Sequence, residues 1–455
     1  MNETKIIQII NKQRSFFNSG ITQNIDWRLS QLKSLKKSVQ HHQKAIYEAL
    51  WLDLHKCEEE VFLTEFSIVI KEIDTQIAHL KQWAKPKKKR TPFYLFPSKS
   101  FIMYDPLGLA LIIAPWNYPL NLTLCPLVGA IASGCCAILK PSPYAVHTSA
   151  VIQNIIEDAF NTDYIAVVQG HRDVNKILLS QKFDIIFFTG SPTLGSEVMN
   201  AAATHLSKVV LELGGKSPCI VDNDANIEVA ARRIAWGKTV NAGQTCIAPD
   251  YLFVHSDVKN KLLERINYYF KFFYGSDAQQ SNHYCRIIND KAFDRLTSYL
   301  NEGKIVFGGK IDKKERYIQP TIIDNVTKEM KIMNDEIFGP ILPVITFINI
   351  EEVCNYIIDR PKPLALYYFG SRKRAEYVLD YTSSGGAAIN DVLMHIANHN
   401  LPFGGVNNSG LGKYHGKESF LAFSHTRSVL VSSPKIDIKM KFPPYKNFKI
   451  IKKFL

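Results

Sequence analysis

The sequence predicts an α/β protein with two doubly wound domains, each built around a mostly parallel sheet. Between residues 106 and 211, short apolar runs alternate with helical patterns, and a similar alternation continues to about residue 347. Strands that alternate with helices form parallel sheets, and strands buried on both faces are continuous apolar runs. The two stretches of alternation therefore indicate two α/β domains.

The chain begins with helical patterns, in which apolar residues recur at intervals of three and four. These patterns predict helices over residues 4–17, 26–54 and 58–85. A basic run at 85–90 and Pro92 then form a linker to the first strands.

Residues 106–139 include no charged side chain, and an uncharged stretch of this length raises the question of a membrane-spanning helix. Pro115, Pro119 and Pro126 would break such a helix, and Asn117 would place a polar group in lipid. The segment instead predicts a strand, a loop, a helix packed on both sides and a second strand, over residues 108–114, 115–119, 120–133 and 135–139.

Later segments continue the alternation. The predicted strands cover residues 165–169, 184–189, 251–255 and 342–347. One predicted helix ends near residue 206, and two others cover residues 230–239 and 257–274.

The composition is that of an ordinary globular protein. With 455 residues, 46% hydrophobic and 21% charged, the chain is long enough for two or three domains. Its eight cysteines include no CxxC pair, and the first 14 residues lack the apolar run of a signal peptide. We therefore expect a cytoplasmic protein with reduced cysteines and no metal site. The adjacent Cys135 and Cys136 are expected to be small buried hydrophobic residues.

The formal net charge of +13 is concentrated in residues 85–90 and in the tail from 435 to 455. A solvated basic face explains both runs. In the tail, lysines alternate with aromatic and aliphatic residues, so weak peripheral docking on an anionic membrane surface is the alternative. No recognised nucleic-acid-binding module accompanies the charge, and we expect no nucleic-acid partner.

The sequence around one cysteine, Cys246, is typical of a nucleophile. It lies in the run GQTCIAP between small and polar neighbours, whereas a structural cysteine is more often set among branched apolar residues. A small core residue is the alternative interpretation. Glu212 and Asn117 could supply a general base and an oxyanion donor. The alternative for Glu212 is an ion pair with Lys216 or Lys208, and for Asn117 a turn residue that satisfies its own backbone.

A phosphate-binding turn is predicted after the strand at 184–189. This strand leads into Gly190, Ser191 and Gly195 at the start of a helical pattern, so exposed N–H groups and the positive end of a helix dipole suit a pyrophosphate. The turn lacks the GxGxxG fingerprint, and an ordinary strand-to-helix turn is the alternative. Lys140 ends another buried strand, where open α/β sheets bind ligands, and its ammonium could hold ribose hydroxyls.

Seven motifs follow one another along the chain. They are IAPWNYP at 113–119, KPS at 140–142, FTGS at 188–191, LELGGKSP at 211–218, GQTCIAPD at 243–250, EIFGP at 336–340 and LPFGGV at 401–406. In this order they resemble NAD(P)-dependent aldehyde dehydrogenases, in particular the shorter class 3 or fatty-aldehyde branch, over nearly the whole chain. The resemblance implies an aldehyde dehydrogenase-like fold with cofactor and catalytic domains and a β bridging arm.

The resemblance also assigns the cofactor site, for NAD or NADP. Lys140 and Glu336 would hold the two riboses, and residues 190–195 would lie at the pyrophosphate. Phe338 and Trp116 would lie in the same site, with Phe338 near the nicotinamide.

In that family an aldehyde is oxidised to the carboxylic acid. The Cys246 thiolate would add to the carbonyl, Asn117 and the backbone N–H of Cys246 would hold the oxyanion, and Glu212 would activate the water that hydrolyses the thioester. The class 3 resemblance implies medium- or long-chain aliphatic or aromatic aldehydes.

Two positions depart from the family pattern. Pro143 stands where many NAD-preferring members carry a glutamate that competes with a 2′-phosphate, which predicts use of NADP as well as NAD. Asn407 stands where the family usually has glycine.

Three other functions are the alternatives. A CoA-acylating dehydrogenase would pass the thioester to coenzyme A, but such relatives typically lack a base at the position of Glu212. A thiol esterase without redox chemistry would leave Lys140, Glu336 and the Gly190 turn without a role. A non-catalytic scaffold would have no use for the catalytic residues.

The resemblance further implies the domain organisation and the oligomeric state. The expected parts are a dinucleotide-binding domain (1–90 and 106–211), a catalytic domain (212–384), a bridging element (91–105 and 385–430) and a basic-aromatic tail (431–455). In the family such an arm extends the partner's sheet, so we expect a homodimer. The arm's apolar residues would otherwise leave an exposed edge: Phe93, Leu95, Phe96, Phe101 and Ile102.

Overall fold

The computed structural model describes residues 2–437, 441–445 and 452. It confirms the predicted fold class, because helices flank two large and mostly parallel sheets, of six and seven strands. A three-stranded antiparallel sheet and a two-stranded ribbon, Ile311–Asp312 with Tyr317–Ile318, complete the sheets of the described residues. The boundaries of the predicted domains stay a prediction.

The first large sheet is built mainly from the first half of the chain. In spatial order its strands are Gly410–Leu411, Lys208–Leu213, Ile185–Gly190, Leu109–Ile113, Cys136–Lys140 and Ile165–Val167. All neighbours run parallel except Gly410–Leu411, which is antiparallel to Lys208–Leu213. The helices that alternate with these strands are Pro119–Ser133, Val146–Ala159, Arg172–Leu179 and Pro192–Ala203.

The uncharged segment has the predicted order of strand, loop, helix and strand. Every residue of the helix Pro119–Ser133 is buried, as expected for a helix packed on both sides. Cys135 and Cys136 are also fully buried, which confirms their assignment as core residues. Within the described part of the chain, no helix is both long enough and apolar enough to cross a membrane.

The N-terminal helices are more broken than predicted. They are Glu3–Asn18, Ile25–His41, Gln43–Leu54, Glu58–Val61 and Ser67–Trp83, with one π-helical turn at Phe62–Phe66. The prediction of a single helix over 26–54 was wrong, because the chain leaves the helical conformation at His42 (φ −90°, ψ 11°). The His42 ring Nδ1 lies 2.9 Å from the carbonyl oxygen of Ser38, so the side chain competes for a helical acceptor.

The second large sheet is built from the second half of the chain. In spatial order its strands are Lys304–Phe307, Thr321–Asp324, Ile341–Phe347, Tyr251–His255, Pro218–Val221, Ala365–Phe369 and Gly386–Ile389. Lys304–Phe307 is antiparallel to its neighbour, and the other pairs are parallel. The flanking helices are Ile227–Thr239, Lys259–Tyr274, Asp290–Ser298, Ile350–Ile358 and Arg372–Tyr381.

The small antiparallel sheet joins the segment that follows the N-terminal helices to the last strand of the described residues. Its strands are Lys87–Lys89, Lys99–Pro106 and Ser424–Val431, so part of the basic run predicted as a linker forms a strand. A short helix, Lys417–Ala422, precedes the last strand. Single 3-10 turns occur at Ile21–Gln23, Phe93–Leu95, Val240–Gly243, Ala278–Gln280, Tyr299–Asn301, Lys331–Met333, Met394–Ala397 and Asn407–Ser409.

Candidate active site

A cavity of about 800 Å³ opens at the carboxyl ends of the strands Ile185–Gly190 and Lys208–Leu213, where α/β sheets bind ligands. Eight of the ten residues that the sequence predicts for the site line this cavity: Trp116, Asn117, Gly190, Ser191, Glu212, Cys246, Glu336 and Phe338. The other two, Lys140 and Gly195, do not line it.

Cys246 follows a strained turn. Asn241, Ala242 and Gly243 all have left-handed backbone conformations (φ 51°, 51° and 72°), and only glycine adopts this region without strain. The turn is anchored where the backbone N–H of Asn241 donates to the Glu60 carboxylate at 2.8 Å. The Cys246 side chain is thereby held at the cavity surface, half-buried.

The Cys246 thiol is protonated in the resting protein. Burial, followed by the negative charges of Glu336 and Glu212, raises the pKa of the thiol to about 12. The backbone N–H groups of Cys246 and Ile247 lower this pKa in part, because they stabilise negative charge on the sulfur. Both N–H groups therefore lie where they could stabilise a negative charge at the sulfur.

Asn117 joins two loops. Its side-chain Nδ2 donates to the carbonyl oxygen of Gln244 at 3.0 Å, which uses one of the two amide N–H groups. Its Oδ1 is buried and has no hydrogen-bond partner among the described residues. The interpretation of Asn117 as a turn residue that satisfies its own backbone is therefore wrong.

Glu212 lies on the strand Lys208–Leu213 and is 3% exposed. Neither carboxylate oxygen has a hydrogen-bond partner within the described residues, and burial raises the pKa of the group well above its ordinary value. The alternative of an ion pair is wrong for both lysines. Lys216 pairs with Asp250, and Lys208 donates to the Ala422 carbonyl at 2.5 Å.

Glu336 lies against the loop that follows Glu212. Its Oε1 accepts a hydrogen bond from the backbone N–H of Gly215 at 3.1 Å. A Cβ atom at Gly214 would lie 2.1 Å from Glu336 Oε2, so only glycine permits this approach. Burial, then the charge of Asp250, raises the pKa of Glu336 to about 8.

The rings of Phe338 and Trp116 contact each other at the cavity wall. Their centroids lie 5.4 Å apart at an interplanar angle of 82°, an edge-to-face contact. Phe338 has a left-handed backbone (φ 50°), and Arg295 holds its loop by donating to the carbonyl oxygens of Glu336 and Ile337 at 3.0 and 2.8 Å. The sequence carried no signal for this role of Arg295.

The predicted phosphate-binding turn opens a helix, as expected. Ser191 is the N-cap of the helix Pro192–Ala203, and its hydroxyl accepts a hydrogen bond from the Leu194 N–H at 3.4 Å. Thr189, which directly precedes Gly190, was not predicted as a site residue. Its hydroxyl is buried and has no hydrogen-bond partner among the described residues.

Gly195 does not lie on the surface of the turn. It is buried in the first turns of the helix Pro192–Ala203, and a Cβ atom there would lie 2.6 Å from the Leu213 side chain. Its smallness allows the helix to pack closely on the strand Lys208–Leu213. The structure shows this packing contact for Gly195, and its place at the pyrophosphate stays a prediction.

Lys140 ends the strand Cys136–Lys140, as predicted, but is only 1% exposed. Its ammonium donates to the carbonyl oxygen of Pro141 at 2.9 Å. Burial lowers the pKa of Lys140 to about 8.

Comparisons with known proteins place this geometry in one family. The model of the aldehyde dehydrogenase family matches residues 1–429. The chain is 48% identical to 4,4'-diaponeurosporen-aldehyde dehydrogenase of Staphylococcus aureus over 97% of both chains. It is 43% identical to the dimeric NADP-preferring aldehyde dehydrogenase of Mus musculus, over 97% of this chain and 98% of the relative.

A solved structure agrees with the sequence relatives. The substrate-bound state of Staphylococcus aureus AldH superposes with a TM-score of 0.97 at 47% identity, over 99% of both chains. A match of this extent covers both large sheets and all seven motifs. The chain belongs to the aldehyde dehydrogenase family.

Proposed function

We propose that Cys246, Glu212 and Asn117 are the catalytic residues of this NAD(P)-dependent aldehyde dehydrogenase, and that Cys246 carries the substrate as a thioester. One observation supports this above all. A single cavity brings together a thiol, a buried carboxyl group that has no hydrogen-bond partner among the described residues, and an amide that uses one of its two N–H groups.

The first step is the addition of the Cys246 sulfur to the aldehyde carbon. The thiol loses its proton to solvent, because only the thiolate is a competent nucleophile. The new C–S bond places a negative charge on the former carbonyl oxygen. The second N–H of the Asn117 amide and the backbone N–H of Cys246 stabilise that charge, and loss of one such donor costs about 2.7–4 kcal/mol of barrier lowering.

The second stage is oxidation and hydrolysis. The dinucleotide supplies, when bound, the acceptor for the hydride that leaves the substrate carbon. Cys246 then carries a thioester. Glu212, as the carboxylate, removes a proton from a water molecule whose oxygen attacks the thioester carbon, and the carbon–sulfur bond breaks to release the acid and the thiolate.

The residues around the cavity fit a dinucleotide. The unpartnered Thr189 hydroxyl offers a hydrogen bond, and the Lys140 ammonium has two N–H groups beyond the one bound to Pro141. Because Lys140 is 1% exposed, its side chain must turn outward to reach a ribose. The proposed cofactor residues are Lys140 and Glu336 for the riboses, Gly190 and Ser191 for the pyrophosphate, and Phe338 and Trp116 for the nicotinamide, with Gly195 as their packing support.

Use of both NAD and NADP is part of the proposal. Pro143, in the turn after Lys140, brings no negative charge to oppose a 2′-phosphate. Relatives named as NADP-preferring support this inference.

We propose that the substrates are apolar aldehydes of medium or long chain, or aromatic aldehydes. Apolar side chains of the cavity that are not assigned to the cofactor support this: Leu122, Met333 and Ile357. The similarity to a relative named for 4,4'-diaponeurosporen-aldehyde points in the same direction.

A homodimer in the cytoplasm is proposed as well. The edge strand Ser424–Val431 and the nearby Phe93 and Phe96, 80% and 62% exposed, would be covered by a partner's sheet, and relatives named as dimeric support this. All eight cysteines are free, as a reducing compartment requires. The weak membrane contact of the tail stays a proposal, and residues 438–440, 446–451 and 453–455 lie outside the described residues.

Two variants test the division of roles between Cys246 and Glu212. Cys246→Ala removes the nucleophile and should abolish reduction of the cofactor, whereas Cys354→Ala, a buried cysteine outside the cavity, should not. Glu212→Gln should give a burst of about one reduced cofactor per active site, followed by little turnover, because addition and oxidation precede the step that needs the base. Stopped-flow absorbance measures the burst, with the exposed Glu264→Gln as control. Normal steady-state turnover in Glu212→Gln would contradict the proposal.

The raised pKa of the Cys246 thiol predicts a pH dependence. Far below a pKa of about 12 the thiolate fraction grows about tenfold per pH unit, so inactivation of the cofactor-free enzyme by iodoacetamide should accelerate from pH 6 to pH 9. Residual activity measured against time gives the rate. A plateau reached below pH 8 would show a thiol already ionised.

The apolar lining predicts a dependence on chain length. Each buried methylene contributes about 0.8 kcal/mol, so kcat/KM should rise about fourfold per carbon until the cavity is filled. A series of straight-chain aldehydes from two to twelve carbons measures this. A maximum at acetaldehyde would reject the substrate class and leave the catalytic assignments unaffected.

A further inference from the structure

We propose that Lys56 and Glu65, a buried ion pair, are positioning residues that hold the oxyanion donors of Asn117 and the Cys246 turn in place. Neither residue touches the cavity, and both come from the N-terminal helical segment. The inference rests on the proposed roles of Asn117 and Cys246.

The pair is completely enclosed. Both side chains are 0% exposed, and Lys56 Nζ lies 2.8 Å from Glu65 Oε1. The same ammonium donates to the backbone carbonyl oxygen of Asn117 at 3.3 Å and lies 4.3 Å from the centre of the Tyr118 ring. Lys56 thus contacts both residues of the turn that carries the oxyanion donor.

Glu65 holds the same turn from its other end. Its Oε2 accepts hydrogen bonds from the backbone N–H groups of Leu120 and Asn121, at 2.9 and 3.3 Å, in the first turn of the helix Pro119–Ser133. Glu65 occupies the π-helical turn Phe62–Phe66, a type of irregularity that is frequent at functional sites. The ion pair therefore binds the backbone at Asn117 and again, three and four residues later, at Leu120 and Asn121.

The turn that contains Asn117 and Tyr118 is itself hydrogen-bonded to the loop of Cys246. The Asn117 carbonyl oxygen also accepts from Asn241 Nδ2 at 2.8 Å, and the Tyr118 hydroxyl lies 2.6 Å from Thr245 Oγ1. Left-handed residues such as Asn241 persist only where the surroundings over-determine them. The Lys56–Glu65 pair supplies the buried charges that hold this arrangement in place.

Stability alone is a weak explanation for such a pair. Desolvating two charges costs about as much as their attraction returns, and apolar replacements of buried pairs are often neutral or stabilising. A positional role accounts for the pair better, because a displacement of about 1 Å near the reacting atoms can lower a rate about 100-fold.

A double-mutant cycle tests the inference in the full-length enzyme. Lys56→Met should lower kcat about 100-fold, and the same change made in Asn117→Ala should lower it by a clearly smaller factor, because the Asn117 side-chain donor is already gone and only the Cys246 turn is still displaced. Arg28→Met is the matched control, since Arg28 is a buried cation (4% exposed) that binds the carbonyls of Thr22, Gln23 and Ala132 away from the cavity. Its effect on kcat should be small and equal in both backgrounds.

A second variant covers the case in which Lys56→Met does not fold. Lys56→Met with Glu65→Gln removes both charges and keeps an acceptor for the Leu120 and Asn121 N–H groups, so it should fold and still show the non-additive loss. Equal losses from either variant with and without Asn117→Ala would overturn the positioning role while leaving the catalytic proposal intact. Full activity of Asn117→Ala itself would overturn both.

Discussion

The backbone oxygen of Asn117 is where the N-terminal helices, the first sheet and the Cys246 loop meet. It accepts hydrogen bonds from Lys56 and from Asn241, and the side chain of the same residue donates to Gln244. A strand end, a strained turn and a buried ion pair are thereby fixed to one peptide unit. The position of Cys246 relative to the Asn117 side chain depends on this junction.

Burial sets the protonation of the ionisable groups in and beside the cavity. The pKa values of Cys246, Glu212 and Glu336 are raised and that of Lys140 is lowered, and burial is the largest cause in each case. All four shifts favour the uncharged form. Glu336 and Lys140, each with a pKa of about 8, therefore titrate close to neutral pH, whereas the Cys246 thiol, with a pKa of about 12, is protonated there.

The sequence predicted several fully buried strands, because continuous apolar runs such as Leu109–Ile113 are visible without tertiary information. It missed Pro218–Val221 and Ala365–Phe369, although these strands are also buried throughout. It also identified Cys246 and Glu212 as candidates, since their neighbours form short motifs. It could not show that Gly195 packs against Leu213 instead of facing the cavity, because that contact depends on how the helix lies on the sheet. Lys56 and Glu65 gave no signal, since a lysine between two predicted helices and a glutamate within the second helix both look like ordinary surface residues.

One departure from the family pattern now has a physical explanation. Asn407 adopts φ 54°, a left-handed conformation that glycine favours and that asparagine tolerates better than other residues. The substitution therefore preserves the backbone of the loop that follows Gly404 and Gly405.

If Cys246 carries the substrate, the acyl group must accumulate on it when hydrolysis is blocked. Intact-protein mass spectrometry of the Glu212→Gln variant, after mixing with an aldehyde and NAD, measures this directly. We expect one added acyl group per chain, located by peptide mapping on the peptide that contains Cys246. Reduced cofactor formed without any acyl group on that peptide would contradict it.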